Sequence, residues 1–228
     1  MEILGAYSKY VSGDRILNIL QELRNKDVVP DRKNVFKAFW VTPDPQLIII
    51  GQDPYPQRGV ATGLAFANWN GDNPSPSLEL IVDRLAIDYK MSAEECNNFD
   101  YTLESWAKQG VLLLNSSLTC EVNKPGSHTG LWYPFMVEFL QNYTEVNPGT
   151  VFMLFGEQAK LLKPYINMGV ILEYKHPAYY ARINESFDCD GFIRVNKILK
   201  EKYNTKINWY GRETCEEEIG DCPFGCPY

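Results

Sequence analysis

The sequence predicts an α/β domain built on a mostly parallel, four-stranded sheet with helices on both faces. Two observations carry that expectation. Four short apolar runs recur, at Leu47–Ile50, Val111–Leu114, Thr150–Phe155 and Gly169–Leu172, separated by helical patterns. Amphipathic stretches fill the intervals between them, and strand-helix alternation of this kind favours parallel pairing with crossover helices. A third observation concerns chemistry: every run ends in a group able to bind or react. The ends are Gly51-Gln52-Asp53-Pro54-Tyr55, Asn115-Ser116-Ser117, Gly156-Glu157 and His176-Pro177. In a parallel sheet the carboxyl ends lie along one edge, where open α/β sheets place their ligands.

The elements follow in order. Gly13–Arg24 carries Ile16, Leu17, Ile19, Leu20 and Leu23 at helical spacing, with Asp14 as the expected cap. Leu78–Tyr89, Thr102–Gln109, Pro134–Tyr143 and Glu157–Lys163 read as the other amphipathic helices. Asp53-Pro54 has a plain alternative, an N-cap followed by proline at the first helical position. Asn115 alone would suit a turn, Gly156 a helix start, and His176-Pro177 a turn with an exposed imidazole. Together they suggest one pocket.

The whole chain has 228 residues, 45% hydrophobic and 22% charged, as expected of a soluble globular protein. No apolar run approaches the ~20 residues of a membrane span. Met1-Glu2-Ile3-Leu4-Gly5 lacks the basic and apolar regions of a signal peptide, so an intracellular protein is expected, in cytoplasm or nucleus. Its six cysteines include no CxxC pair and suggest free thiols in a reducing compartment. The net charge of −7 argues against a generic nucleic-acid binder, although an acidic domain can bind a polyanion where its cations are focused at one cleft. Part of that charge is local: residues 211–228 set Arg212 against Glu213, Glu216, Glu217, Glu218 and Asp221. We therefore expect one domain over residues 1–210 and an acidic, Cys-containing tail over 211–228.

The ordered motifs resemble family 1 uracil-DNA glycosylases. Gly51–Tyr55 matches the family's GQDPY motif, and Gly59, Ala61, Gly63, Leu64, Ala65 and Phe66 match its continuation. Pro76-Ser77-Leu78 matches a Pro-Ser-Leu loop, Leu103–Asn115 a long L-E-S-W segment, and Ser127-His128 a Ser-His element. Gly156 stands at the family's Gly-Ser turn and His176-Pro177 opens its His-Pro-Ser-Pro-Leu loop. So many motifs in order exceed the specificity of any single one.

The resemblance implies an enzyme that flips uracil out of DNA, single- or double-stranded, and hydrolyses its glycosidic bond without metal or cofactor. Asp53 would position and deprotonate the water, and His176 would stabilise the departing uracil anion. Asn115 and the Gln52 backbone N–H would bind the base, Phe66 would stack on it, and Tyr55 would exclude a thymine methyl. Pro76, Ser77, His128, Gly156, Ala178, Tyr180 and Arg182 would contact DNA, with Arg58, Lys124, Lys175 and Arg182 forming a local basic cleft. A monomer is implied, with an inhibitor protein or replication factor as an unidentified partner.

Departures from the pattern are Pro56 for a His, Glu157 for a Ser, and Ala178-Tyr179-Tyr180 in the last loop. Tyr180 falls at the position of the family's inserted Leu and is expected to wedge into the base stack; the alternative is a surface aromatic. Two rival functions remain at this level: a glycosylase of altered base choice, and an inactive DNA-binding or processivity subunit of the same fold.

Overall fold

The computed structural model describes residues 3–68 and 74–210. The acidic segment 211–228 lies outside them, and so does the expectation placed on it.

After a short 3-10 turn, α1 (Gly13–Leu23) opens the chain. Ser12, not Asp14, caps it: the Ser12 hydroxyl accepts the Arg15 N–H, while Asp14 sits in the first turn. The two-residue strand β1 (Val28–Val29) and α2 (Lys37–Val41) lead to β2 (Leu47–Gly51). Helices α3 (Pro76–Tyr89), α4 (Ala93–Asn97) and α5 (Glu104–Lys108) lead on to β3 (Val111–Asn115). The two-residue β4 (Cys120–Glu121), α6 (Thr129–Val146), β5 (Val151–Phe155), α7 (Glu157–Lys160), β6 (Val170–Tyr174), α8 (Pro177–Ile183) and α9 (Gly191–Tyr203) complete it.

The main sheet has the order β3-β2-β5-β6, and all of its pairings are parallel. Every residue of β2, β3 and β5 is buried, so both faces of those strands are covered. Trp132, Phe135 and Phe139 of α6, and Phe192 of α9, are fully buried in the same core. The chain moves from β2 to β3 on one side, then returns to place β5 and β6 on the other. That reversal opens a crevice at the carboxyl ends of the strands.

Several boundaries differ from expectation for local reasons. Asp53-Pro54 caps no helix; residues 52–59 form a loop. The helix expected from Thr102 begins at Glu104, because the Asp100 carboxylate takes the N–H groups of Thr102 and Ser105. Pro134 lies inside α6, which starts earlier, at Thr129.

Candidate active site

The site is built on the edge where β2 and β3 end together. Gly51 pairs with Asn115 in register. A Cβ on Gly51 would lie 2.6 Å from Asn115 Oδ1 and 3.2 Å from the Phe66 ring, so only glycine lets these side chains close over the strand end. The following peptides are bolted to the other strand. Ser116 N–H donates to Gly51 O (3.0 Å), Ser117 N–H to Gln52 O (3.1 Å), and the Ser116 hydroxyl to Gln52 O (2.8 Å). Asp53 and Tyr55 are thus carried on a loop whose first residues cannot swing.

Asp53 is half-buried. One carboxylate oxygen, Oδ2, accepts the Gln52 amide at 3.1 Å; the other, Oδ1, is buried with no hydrogen-bond partner among the described residues. Burial raises its pKa, opposed by hydrogen bonds from Gln52 and the Gly126 backbone. An acceptor held out of water without a partner is poised to take a proton from a bound water or hydroxyl.

Tyr55 donates its hydroxyl to the Phe66 carbonyl at 2.9 Å and receives the Ser75 hydroxyl. Burial pushes its phenol up to about 12, so it stays protonated. Phe66 itself has φ +66°, a conformation unusual for a non-glycine residue, and the Tyr55 bond holds it there. Its ring meets Phe155 edge-on at 5.4 Å and His176 at 5.3 Å.

His176 caps α8. Its Nδ1 accepts the Ala178 N–H at 3.1 Å, which leaves the ring proton on Nε2. Burial, helped by the Arg182 charge, lowers its pKa to about 4, so the imidazole is neutral at pH 7 and offers an N–H donor. Gly156, with φ +86°, passes close behind it: a Cβ there would sit 3.0 Å from His176 Cβ. A cavity of about 20 Å³ separates Asp53, Tyr55, Phe66, Asn115 and Leu118. That is room for about one water.

The expected phosphate-contact residues fare differently. Arg182 is exposed and Pro76 lies at the exposed first turn of α3. Ser77 is only 7% exposed and His128 only 2%. His128 is drawn inward because its Nδ1 bonds the Thr119 hydroxyl at 2.9 Å, which also accepts Trp132 Nε1–H at 2.8 Å. Tyr180, expected as a wedge, is buried as well, its ring 5.5 Å from Phe187. The exposed ring of the pair is Tyr179, with Lys175 Nζ 4.2 Å from its centroid. Ala178 spends its N–H on His176 and its carbonyl on Arg182 Nε. Arg58 pairs with Asp27, Lys124 with Glu121 and Glu157 with Lys160, so the basic cleft of the free protein reduces to Lys175 and Arg182.

Ser75, Ser116, Ser117 and Thr119 support the site but carried no sequence signal beyond proximity to the motifs. Among the described residues, no group of three or more His, Cys, Asp or Glu could hold a metal ion.

The model of the uracil DNA glycosylase superfamily matches residues 39–200. Uracil-DNA glycosylase of Aliivibrio salmonicida is 35% identical, covering 85% of this chain and 88% of its own. That of Francisella tularensis is 35% identical over 86% and 90%. Among solved structures, mimivirus uracil-DNA glycosylase superposes with TM-score 0.73 at 20% identity, covering 89% of this chain and 88% of its own. A variant of that mimivirus protein in complex with UGI gives 0.76 at 21% identity, covering 89% and 84%. These structural likenesses concern the fold. The chain belongs to the uracil-DNA glycosylase superfamily.

Proposed function

We propose that this protein acts by the family 1 route, with Asp53 and His176 as its reacting groups. It is a DNA-repair hydrolase, a uracil-DNA glycosylase that removes uracil from DNA. The observation that carries the mechanistic reading is a pairing of opposites about Phe66, whose ring lines the cavity with Asp53 and meets the His176 ring at 5.3 Å. Asp53 presents a buried, unpartnered carboxylate oxygen, and His176 is a neutral imidazole fixed with its proton on Nε2.

In this reading the flipped base parts Phe66 from the Asn115 side and stacks on the Phe66 ring. The Asn115 amide matches the uracil N3–H and O4, and the Gln52 N–H holds O2. Tyr55 stands beside C5, and its double tether to Phe66 O and Ser75 makes it a rigid wall against a methyl group. As the C1′–N1 bond breaks, its electron pair leaves with uracil and His176 Nε2–H stabilises the charge at O2. Asp53 offsets the sugar's positive charge and takes the proton of the water that bonds to C1′. The products are free uracil and an abasic site.

Pro76, Ser77, Gly156, Ala178 and Arg182 are the proposed phosphate-side contacts, and Tyr179, not Tyr180, supplies the aromatic wedge. We further take the protein to act as an intracellular monomer on single- or double-stranded DNA, and to bind an inhibitor protein as the mimivirus variant binds UGI. Among the described residues no helix is long and apolar enough to cross a membrane.

The test is uracil release from oligonucleotides by the parent protein and Asp53→Asn. The expected result is release by the parent and a loss of about 10²–10⁴-fold in the variant. No release by the parent would favour the inactive binding subunit. Equal release by both would remove Asp53 from the mechanism.

A further inference from the structure

Helix α9 borders a groove of about 470 Å³ that the catalytic reading does not use. Tyr89 and Asn196 line it, with Ile193, Lys197, Lys200 and Lys206 around them. Ile193 is 45% exposed. Among the described residues, none of the three lysines forms an ion pair; Lys200 reaches only the Asn204 carbonyl oxygen Oδ1, at 2.6 Å. Of the acids at the groove, Asp88 is committed to Arg84, which leaves Glu201 against three ammonium groups. The groove therefore fits an acidic segment.

The described chain ends beside it. Residues 207–210 run back along α9, with Asn196 bonding Ile207 through both its amide groups and Trp209 buried against Phe192. The last ring, Tyr210, packs 5.7 Å from Tyr89 in the lining. Eighteen residues follow, with Arg212 as their one cation and with Glu213, Glu216, Glu217, Glu218 and Asp221 as their anions. Ile193 to Lys200 is about 10 Å of helix. The six residues from Tyr210 to Glu216 reach about 20 Å when extended. Tethering gives such a segment an effective concentration near the millimolar range, enough for a contact made mostly of charge pairs.

We propose that segment 211–228 docks in the α9 groove of its own chain, with Glu216, Glu217 and Glu218 facing Lys197, Lys200 and Lys206. The acidic end is then neutralised locally and held off the DNA-facing edge.

Zero-length carbodiimide cross-linking of the full chain, mapped by peptide mass spectrometry, tests this. Cross-links from Glu216–Glu218 to Lys197, Lys200 or Lys206 are expected in the monomer band, with yields falling several-fold at about 0.5 M salt. Acylation of surface lysines gives a second readout. Those three lysines should react several-fold more slowly in the parent than in Glu216→Gln/Glu217→Gln/Glu218→Gln, while the other lysines stay unchanged. Cross-links spread evenly over the lysines, or equal acylation in both proteins, would overturn the proposal. Cross-links confined to a dimer band would assign the groove to a second copy's acidic segment and would likewise overturn it.

Discussion

Single atoms decide the chemistry at this site. Asp53 holds a raised pKa because its carboxylate is desolvated, and an ionised group in that state costs the fold free energy. Asp53→Asn should therefore lower kcat steeply yet raise Tm, a combination that thermal melts beside kinetics would check. His176 shifts the other way, to about 4. An unfolded imidazole takes up its proton near pH 6.5 and the folded one only near 4, so folding stability falls as pH drops through that window and is unaffected above it. The pH-rate profile should show no histidine titration between 6 and 8, with activity lost only toward acid, where Asp53 also protonates. A third prediction concerns Gly51→Ala, whose methyl would meet Asn115 Oδ1 at 2.6 Å. Displacing that amide should raise KM and lower kcat while leaving the buried strand paired, a difference visible in kinetics but not in the far-UV spectrum.

Helices and strands set which of those atoms can reach the DNA. The four main strands were legible because uninterrupted runs such as Leu47–Ile50 can be buried on both faces only in a covered sheet. That Asp53 and Asn115 would meet at one edge was legible because both follow such runs, and they line one cavity. The exposure of α8 side chains was not legible, since Ala178-Tyr179-Tyr180-Ala181 has no polar residue to fix its rotation. Packing fixes it instead: Phe187 captures Tyr180 and leaves Tyr179 outside. The burial of His128 was not legible for a similar reason, because its partner Thr119 and Trp132 become neighbours only when the start of α6 packs on the segment leading into β4. α9 was overlooked although Phe192, Val195 and Leu199 repeat at helical spacing. The two tyrosines should separate cleanly. Tyr180→Ala should destabilise the protein by about 2–4 kcal/mol in denaturant unfolding. Tyr179→Ala should leave stability within about 0.5 kcal/mol and slow uracil release from duplex more than from single strands, because only the duplex needs its stack propped open.

Across the whole molecule the question is how a chain of net charge −7 grips a polyanion. Two of the four cations expected beside the motif loops are already engaged, Arg58 with Asp27 and Lys124 with Glu121. Surface pairs of this kind contribute little to stability, so their effect here is to withhold charge from the cleft rather than to brace the fold. Lys175 and Arg182 remain, both on or next to α8 and close to His176. Counterion release converts this into a number: the slope of log K against log salt is about −0.9 per phosphate neutralised. Two contacts give a slope of about −1.8, and affinity should fall only about 12-fold between 50 and 200 mM salt. If Arg58 and Lys124 left their carboxylates for phosphates, four contacts would steepen the slope to about −3.6 and the loss to about 150-fold. Titrating the Asp53→Asn protein with labelled duplex across that range separates the two cases. Arg182→Ala should then reduce the slope by about 0.9, whereas Arg58→Ala should leave it unchanged, because a cation already held by Asp27 releases no counterion from DNA.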